Sequence, residues 1–208
     1  MALLRNAVRL HDAFRHHALV PLRHVIESPG GPMLIYPWVE GELLGKPLGT
    51  GRGRPILERF RELPPGEILN ALGIIFEVHT GLAAAGWMAV DFYDGCLIYD
   101  FDAQRLGLID LDCYHPGPFT NEMGRMFGSS RFMAPEEFER GARIDEQTTV
   151  FTMGRTAFVL LANGSTDPED FRGGGRIFEV VRRACRDERG ERQASMAEFY
   201  SAWSNAKA

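Results

Sequence analysis

The 208-residue chain is 45% hydrophobic and 25% charged, which is the composition of an ordinary globular protein and excludes a disordered or fibrous chain. Its formal net charge of −5 argues against nucleic acid as the main partner, because proteins that bind nucleic acids carry a basic surface. It has no uninterrupted apolar run of about 18 residues and no signal-peptide pattern, so we expect a cytoplasmic protein without membrane contact.

The first elements in chain order are a helix and a hairpin. Apolar residues recur at spacings of three and four over residues 3–14, which predicts an amphipathic helix. Apolar runs at residues 19–26 and 33–39 flank a turn-forming segment at residues 28–31, and this pattern predicts a β-hairpin. Residues 45–55 are rich in glycine and proline and predict a mobile connection.

A long helix and a pair of short strands come next. Two prolines at residues 64–65 start an apolar helical pattern that ends near Gly86. Short β-like runs follow at residues 96–99 and 106–111, and the second run ends in acidic residues.

The rest of the chain is predicted to be mostly helical. Residues 150–161 are apolar around most of a helix circumference, as in a helix buried on all sides. Residues 195–198 form a capping box that opens a last helix. The order of the elements predicts an α+β fold with a mostly helical C-terminal part.

Two aspartates stand at the ends of predicted strands. Asp91 precedes the apolar run of residues 96–99, and Asp110 ends the run that begins at residue 106. A hairpin that joins these runs would bring both carboxylates to one end of a cleft. Such carboxylates can accept a proton from a nucleophile or hold a divalent metal, and either role is open to each residue.

At these positions the sequence resembles the protein kinases. Residues 89–91 (Ala-Val-Asp) stand where the family has the catalytic-loop His-Arg-Asp, and residues 110–112 (Asp-Leu-Asp) stand where it has Asp-Phe-Gly. The resemblance implies that Asp91 is the catalytic proton acceptor and that Asp110 is a metal ligand. The implied cofactors are ATP and Mg²⁺, and the implied partners are a nucleotide and a protein substrate or partner.

Three further matches lie downstream. Residues 134–136 read Ala-Pro-Glu, the motif that closes the activation segment in the family, and Arg192 matches the late arginine that pairs with its glutamate. The resemblance therefore implies an ion pair between Glu136 and Arg192 that is shielded from solvent. Gly154 matches the glycine of the buried central helix, although Thr149 replaces the aspartate of that helix.

The upstream part also resembles the family. Residues 33–42 are similar to the final small-lobe strand and the hinge, with Tyr36 as the gatekeeper. The implied nucleotide site consists of Tyr36, Pro37 and Val39, in which the Pro37 carbonyl and the Val39 amide meet an adenine. Pro37 lacks an N–H, but the hinge residue at that place contributes only its carbonyl.

The resemblance implies a bacterial serine/threonine protein kinase-like protein. Its expected fold is a partial small β lobe over residues 1–41 and a mostly helical C-lobe over residues 42–208. The glycine-rich loop and the lysine strand of the small lobe are missing. Either Met1 is an internal start in a longer protein, or the chain is a reduced pseudokinase.

Other parts of the kinase pattern are also replaced. Residues 1–26 contain no glutamate that could pair with a lysine, and Tyr93 stands where the catalytic loop has its lysine. Cys96 stands in the place of the asparagine, and a thiol is a poor ligand for Mg²⁺. We therefore predict that the chain binds Mg·ATP weakly or not at all and transfers no measurable phosphate to a protein.

Two alternatives remain open for the function. Residues 109–112 resemble the Ile-Asp-x-Asp/Glu motif of aminoglycoside phosphotransferases, but that family lacks the Ala-Pro-Glu anchor and the partner of Arg192. A non-catalytic scaffold that docks partner proteins on its helical lobe is the other alternative. Asp94 and Asp112 can each be a substitute metal ligand or a solvated loop residue.

Overall fold

A computed structural model of the chain describes residues 2–45 and 56–208 as an α+β protein with small antiparallel sheets. The helices are α1 (Ala2–Ala13), α2 (Ile56–Arg61), α3 (Pro65–Ala84), α4 (Glu146–Ala162), α5 (Gly175–Ala184) and α6 (Met196–Lys207). The strands are β1 (His24–Ser28), β2 (Gly31–Ile35), β3 (Glu42–Leu43), β4 (Trp87–Met88), β5 (Leu97–Asp100), β6 (Arg105–Leu108), β7 (His115–Pro116), β8 (Phe119–Thr120) and β9 (Arg143–Ile144). The α+β prediction is confirmed, and the predicted connection lies outside the described residues except at Gly45.

The predicted first hairpin is present, but its first strand is shorter than expected. Strands β1 and β2 pair antiparallel, and β1 begins at His24, several residues after the start of the apolar run. The earlier residues bond to another strand instead: Val20 N–H donates to Leu108 O at 3.0 Å, and Leu108 N–H donates to Ala18 O at 2.7 Å. Pro21 has no N–H and cannot extend a ladder, so the strand resumes only beyond it.

A three-stranded sheet of β3, β5 and β6 connects the two parts of the chain. Strand β5 is central and pairs with β3 on one side and β6 on the other, which confirms the predicted second hairpin. The parallel bridge between Leu19 and Leu108 joins the N-terminal segment to β6. One hydrophobic core contains Leu10 and Leu19 together with residues of α3, α4 and α6. The division of the chain at residue 41 stays a prediction.

Helix α3 lies in the core of the helical part. Its length and composition, considered alone, would fit a membrane span, and among the described residues it is the one helix that meets this criterion. However, α3 packs against α4 and α6. Phe76 meets the rings of Phe199 and Trp203 edge-on at centroid distances of 4.9 and 4.8 Å. These contacts are those of a core helix, and α3 is not a convincing membrane span.

Helix α4 is buried nearly all round, as its apolar pattern predicts. Asp145 caps its first turn by accepting the N–H of Gln147. Gly154 permits the close approach of α5, because a Cβ at this position would lie 2.6 Å from Cys185 Sγ and 2.9 Å from Ala184 Cβ. A larger residue at position 154 would therefore separate the two helices.

Candidate functional site

A cavity of about 900 Å³ lies between α1, the β1–β2 hairpin, residues 36–39 and the end of β6. This volume is in the range of small-molecule sites in proteins, which is about 300–1,000 Å³. Most of the lining is apolar, and it includes Val20, Leu43, Ile98 and Leu108. The cavity can therefore bury a ligand with a large apolar body.

The predicted hinge residues Tyr36, Pro37 and Val39 all line this cavity. Within residues 2–45 and 56–208, the Pro37 carbonyl and the Val39 N–H have no hydrogen-bond partner. Gly107 of β6 lies beside Val39, since a Cβ at position 107 would be in van der Waals contact with Val39 Cγ1 at 3.5 Å. Backbone groups without partners beside an apolar cavity are available to a ligand, because a buried peptide group needs a hydrogen bond.

Asp91, the predicted proton acceptor, and Asp110, the predicted metal ligand, do not line the same cavity, which corrects the expectation that both lie at one end of a cleft. Asp110 and Asp112 line the large cavity. Asp91 lines a small adjacent crevice with Gly128 and Glu137. The carboxylates are still electrostatic neighbours, because the negative charge of Asp110 contributes to the raised pKa of Asp91. The hairpin therefore brings Asp91 and Asp110 near each other, but the two residues line different cavities.

Asp91 and Asp110 both have an unusual backbone conformation. Asp91 has φ 59° and Asp110 has φ 60°, in the left-handed region. That region costs a non-glycine residue roughly 1–2 kcal/mol, and such strain is concentrated at functional sites. The buried thiol of Cys96 donates to the Asp91 carbonyl at 3.6 Å and to the Asp110 carbonyl at 3.9 Å. Cys96 therefore holds the two segments together, and burial raises the pKa of its thiol.

Helix α4 holds the segment that leads to Asp91. Thr149 Oγ1 accepts the N–H of Ala89 at 3.0 Å, although the two residues are 60 positions apart. Thr149, which replaces the aspartate expected from the resemblance, thus keeps a contact with the loop. The substitution was visible in the sequence, but the hydrogen-bond partner was not.

Among the described residues, the aspartates at the cavity and the crevice have no cationic partner. Partial burial and then the charge of Asp110 raise the pKa of Asp91, while a hydrogen bond from Cys113 lowers it. Partial burial and then the charge of Asp112 raise the pKa of Asp110, and these two carboxyl groups share a hydrogen bond. No ion pair between described residues includes Asp91, Asp110 or Asp112. We refer to these three residues as the acidic cluster.

The side chains at the site do not make a magnesium centre by themselves. Within the described ranges, no three His, Cys, Asp or Glu side chains are grouped to hold a metal. Asp94, considered as a substitute ligand, is buried and pairs with Arg131 at 2.6 Å. The Cys96 thiol is a soft donor, and its raised pKa opposes the thiolate that a metal would need. The role of Asp110 as a metal ligand stays a prediction.

The predicted ion pair between Glu136 and Arg192 is confirmed. Arg192 donates to both carboxylate oxygens of Glu136, at 2.7 and 3.0 Å, and the Arg192 side chain is fully buried. Thr148 and Arg189 donate to the same carboxylate at 2.9 and 3.2 Å. Burial alone would raise the pKa of Glu136, but the hydrogen bonds and charge of Arg192 lower it below its ordinary value.

Glu137 is a functional candidate that the sequence did not reveal. Its buried carboxylate accepts the N–H of Ala134 at 2.6 Å. Burial, followed by the charges of Glu136 and Asp91, raises its pKa to about 7, against the opposing Ala134 hydrogen bond. Glu137 therefore lies between the ion pair and the crevice of Asp91. Its position directly after the Ala-Pro-Glu motif was the only available signal.

No protein-family model matches this chain, and no curated protein matches it either. The function therefore has to be inferred from the geometry of the cavity and the residues around it.

Proposed function

We propose that this protein is a protein-kinase-like protein whose cavity binds the planar base of a nucleoside or nucleotide, while phosphoryl transfer to protein is weak or lost. One observation carries the proposal: the peptide edge of residues 37–39, which has no hydrogen-bond partner among the described residues, and the carboxylate of Asp110 line one cavity. An aminopurine has an apolar body with a hydrogen-bond donor and acceptor on one edge. The free Pro37 carbonyl and Val39 N–H are the complementary groups.

The kinase-like fold is favoured by the segment that Glu136 anchors, which is residues 123–138 around the Ala-Pro-Glu motif. Its ion pair with Arg192 joins the Ala-Pro-Glu motif to the turn before α6, as the resemblance implies. Gly154 lies at the contact of α4 with α5, in the buried helix where the resemblance places it. The same ion pair argues against the aminoglycoside phosphotransferase alternative, because that family lacks the anchor.

Weak phosphoryl transfer follows from the charges near the cavity. Phosphoryl transfer depends on cations that neutralise the phosphates, and no Lys or Arg is among the described residues that line the cavity. Asp91, the candidate proton acceptor, lies in the adjacent crevice. Loss of one charge partner in a transition state costs about 10²–10³ in rate, and several such losses are not additive.

The scaffold alternative is favoured by a different observation. Met123, Phe127 and Phe138 are exposed by 56%, 61% and 43%, and all three belong to the segment that Glu136 anchors. Large exposed apolar side chains are typical of surfaces that contact other proteins. A ligand-binding protein without transferase activity could use this segment to contact a partner.

The proposal is tested with the full chain by titration calorimetry against adenosine. We expect measurable binding, retained in Val39→Ala and weakened roughly tenfold in Val39→Pro, because only the second change removes the N–H. Circular dichroism and thermal unfolding verify that both variants fold. If Val39→Pro binds adenosine as the wild type does, the peptide edge is not the base site.

Phosphoryl transfer is measured separately, with γ-labelled ATP, Mg²⁺ and a generic protein substrate. We expect no transfer above that of a heat-inactivated control. Robust phosphorylation that disappears in Asp91→Asn would show that the chain is an active kinase and would contradict the second half of the proposal.

A further inference from the structure

We propose that the cavity binds planar heteroaromatic ligands that carry a positive charge more tightly than those that carry a phosphate. This inference rests on the proposed function in that both concern the same cavity. It adds the chemical class of the ligand, and a positively charged aromatic amine is the occupant that the surrounding groups favour.

The charged groups that line the cavity are acidic. Asp110 and Asp112 are the ionisable residues of fixed charge in the described lining, and neither forms an ion pair with another described residue. His11 is the other titratable group besides Tyr36, and burial lowers its pKa, so it is neutral at pH 7. Asp91 adds a third negative charge from the adjacent crevice. The charges of the described residues around the cavity therefore attract cations and repel anions.

Two described arginines of this part of the chain are bound to other groups. Arg131 donates to Asp94 at 2.6 Å. Arg61 donates to the Val159 carbonyl at 2.8 Å. Because mutual repulsion contributes to the raised pKa of both Asp91 and Asp110, a bound cation would relieve an existing cost. A bound phosphate would increase it.

The aromatic residues at the cavity suit the same class of ligand. Trp38 lines the cavity, and its side chain is 87% exposed. Tyr36 lines it as well and is 40% exposed. Aromatic faces attract organic cations through their electron density, and tryptophan does so most strongly. The Tyr36 ring also contacts the His11 ring at a centroid distance of 5.6 Å, so Trp38 is the more accessible of the two aromatic rings. Apolar walls, an exposed tryptophan and carboxylates without a described cationic partner together describe a site for an aromatic cation.

The first experiment compares three ligands that share one base and differ in the charge of the 5′ group. They are 5′-amino-5′-deoxyadenosine (cationic), adenosine (neutral) and AMP (anionic). We expect the Kd of the amine to be about tenfold lower than that of adenosine, and the Kd of AMP to be about tenfold higher. The differences should shrink at 1 M NaCl, where charges are screened beyond about 3 Å.

Matched variants test whether the acidic cluster is responsible. Asp110→Asn/Asp112→Asn should reduce the difference between the amine and AMP to within about twofold, since it removes the charges that line the cavity. Asp102→Asn/Asp170→Asn changes the net charge equally at exposed positions that do not line the cavity. This control should retain the full difference. Equal effects of the two double variants would overturn the inference.

A separate variant removes the basic residues of segment 46–55, which lies outside the described residues. Lys46→Ala/Arg52→Ala/Arg54→Ala should bind the three ligands in the same order as the wild type. If the wild type instead binds AMP or ATP more tightly than adenosine, and this variant loses that preference, the site is a phosphate site. That result would overturn the inference and leave base binding intact.

The selection for cations can also be tested if the proposed base binding fails. If no adenine derivative binds, base binding fails, and two fluorescent dyes then decide the charge inference. Thioflavin T, an aromatic cation, should bind to the wild type and bind more weakly to Asp110→Asn/Asp112→Asn. The anionic anilinonaphthalene sulfonate should bind to the wild type more weakly than thioflavin T does. Stronger binding of the anionic dye, or binding of neither dye, would refute the selection for cations.

Discussion

The carboxylates of Glu136 and Asp110 carry the same charge when ionised, but they differ in burial, in their partners and in the direction of their pKa shifts. Glu136 is buried and receives hydrogen bonds from Arg192, Arg189 and Thr148, and its pKa is lowered. Asp110 is more exposed, and partial burial together with the charge of Asp112 raises its pKa. The first environment favours the ionised form, while the second disfavours it.

This difference separates a structural charge from one available to a ligand. The hydrogen-bond capacity of Glu136 is used within the chain, so the ion pair fixes the segment that it anchors. The charge of Asp110 is uncompensated among the described residues and faces a cavity. Glu137 lines the crevice of Asp91, and burial together with the charges of Glu136 and Asp91 raises its pKa. Substitutions in the three places should therefore have different effects.

The largest effect is expected from Arg192→Ala. Removing one partner of a buried pair leaves an uncompensated charge, which costs about 3–5 kcal/mol of unfolding free energy. For a chain of this size, the melting temperature should fall by roughly 10 °C, measured by calorimetry.

The control for Arg192→Ala is Arg182→Ala, whose exposed guanidinium pairs with Glu179 on the surface of α5. It should leave the melting temperature unchanged within error. Replacing both partners, in Glu136→Gln/Arg192→Met, should be less destabilising than Arg192→Ala, since the carboxylate is removed together with Arg192 and Arg189 keeps its ion pair with Asp145. An Arg192→Ala variant as stable as the wild type would mean that the pair does not anchor the segment.

A smaller, pH-dependent effect is expected at Glu137. Its pKa rises on folding from the ordinary 4.5 to about 7, so the folded state binds the proton more tightly. The contribution of this group to stability is fully present below pH 4.5 and is lost as the pH rises through 7. Glu137→Gln should therefore be more stable than the wild type at pH 8, by up to about 3 kcal/mol, and similar to it at pH 4.5.

Urea unfolding at several pH values measures this difference, and Glu139→Gln is the matched control. Glu139 is exposed and two residues further along the chain, so its variant should track the wild type at every pH. A constant offset between Glu137→Gln and the wild type across the pH range would indicate that Glu137 does not change its protonation on folding.

The smallest effect is expected from Asp110→Asn. The change removes a repelling charge at an exposed position, so the unfolding free energy should stay within about 0.5 kcal/mol of the wild type. A loss as large as that from Arg192→Ala would show that Asp110 has a structural role. The contrast between Glu136 and Asp110 would then be wrong.

The sequence by itself determined the elements whose signals are local. The apolar periodicity of residues 150–161 and the cap at Ser195 each act within a few helical turns, and α4 and α6 follow them. The pairing of Glu136 with Arg192 was also predicted, but only through the resemblance, since the two residues are 56 positions apart.

Only the tertiary structure decided how the charges of the site are distributed. It pairs Asp94 with Arg131, places Asp91 in a crevice apart from the cavity of Asp110, and leaves the acidic cluster without a described cation. These outcomes depend on which distant segments approach each other and on how much water remains between them. Neither quantity is encoded in the spacing of residues along the chain, because burial and charge pairing arise when the core of α3, α4 and α6 forms.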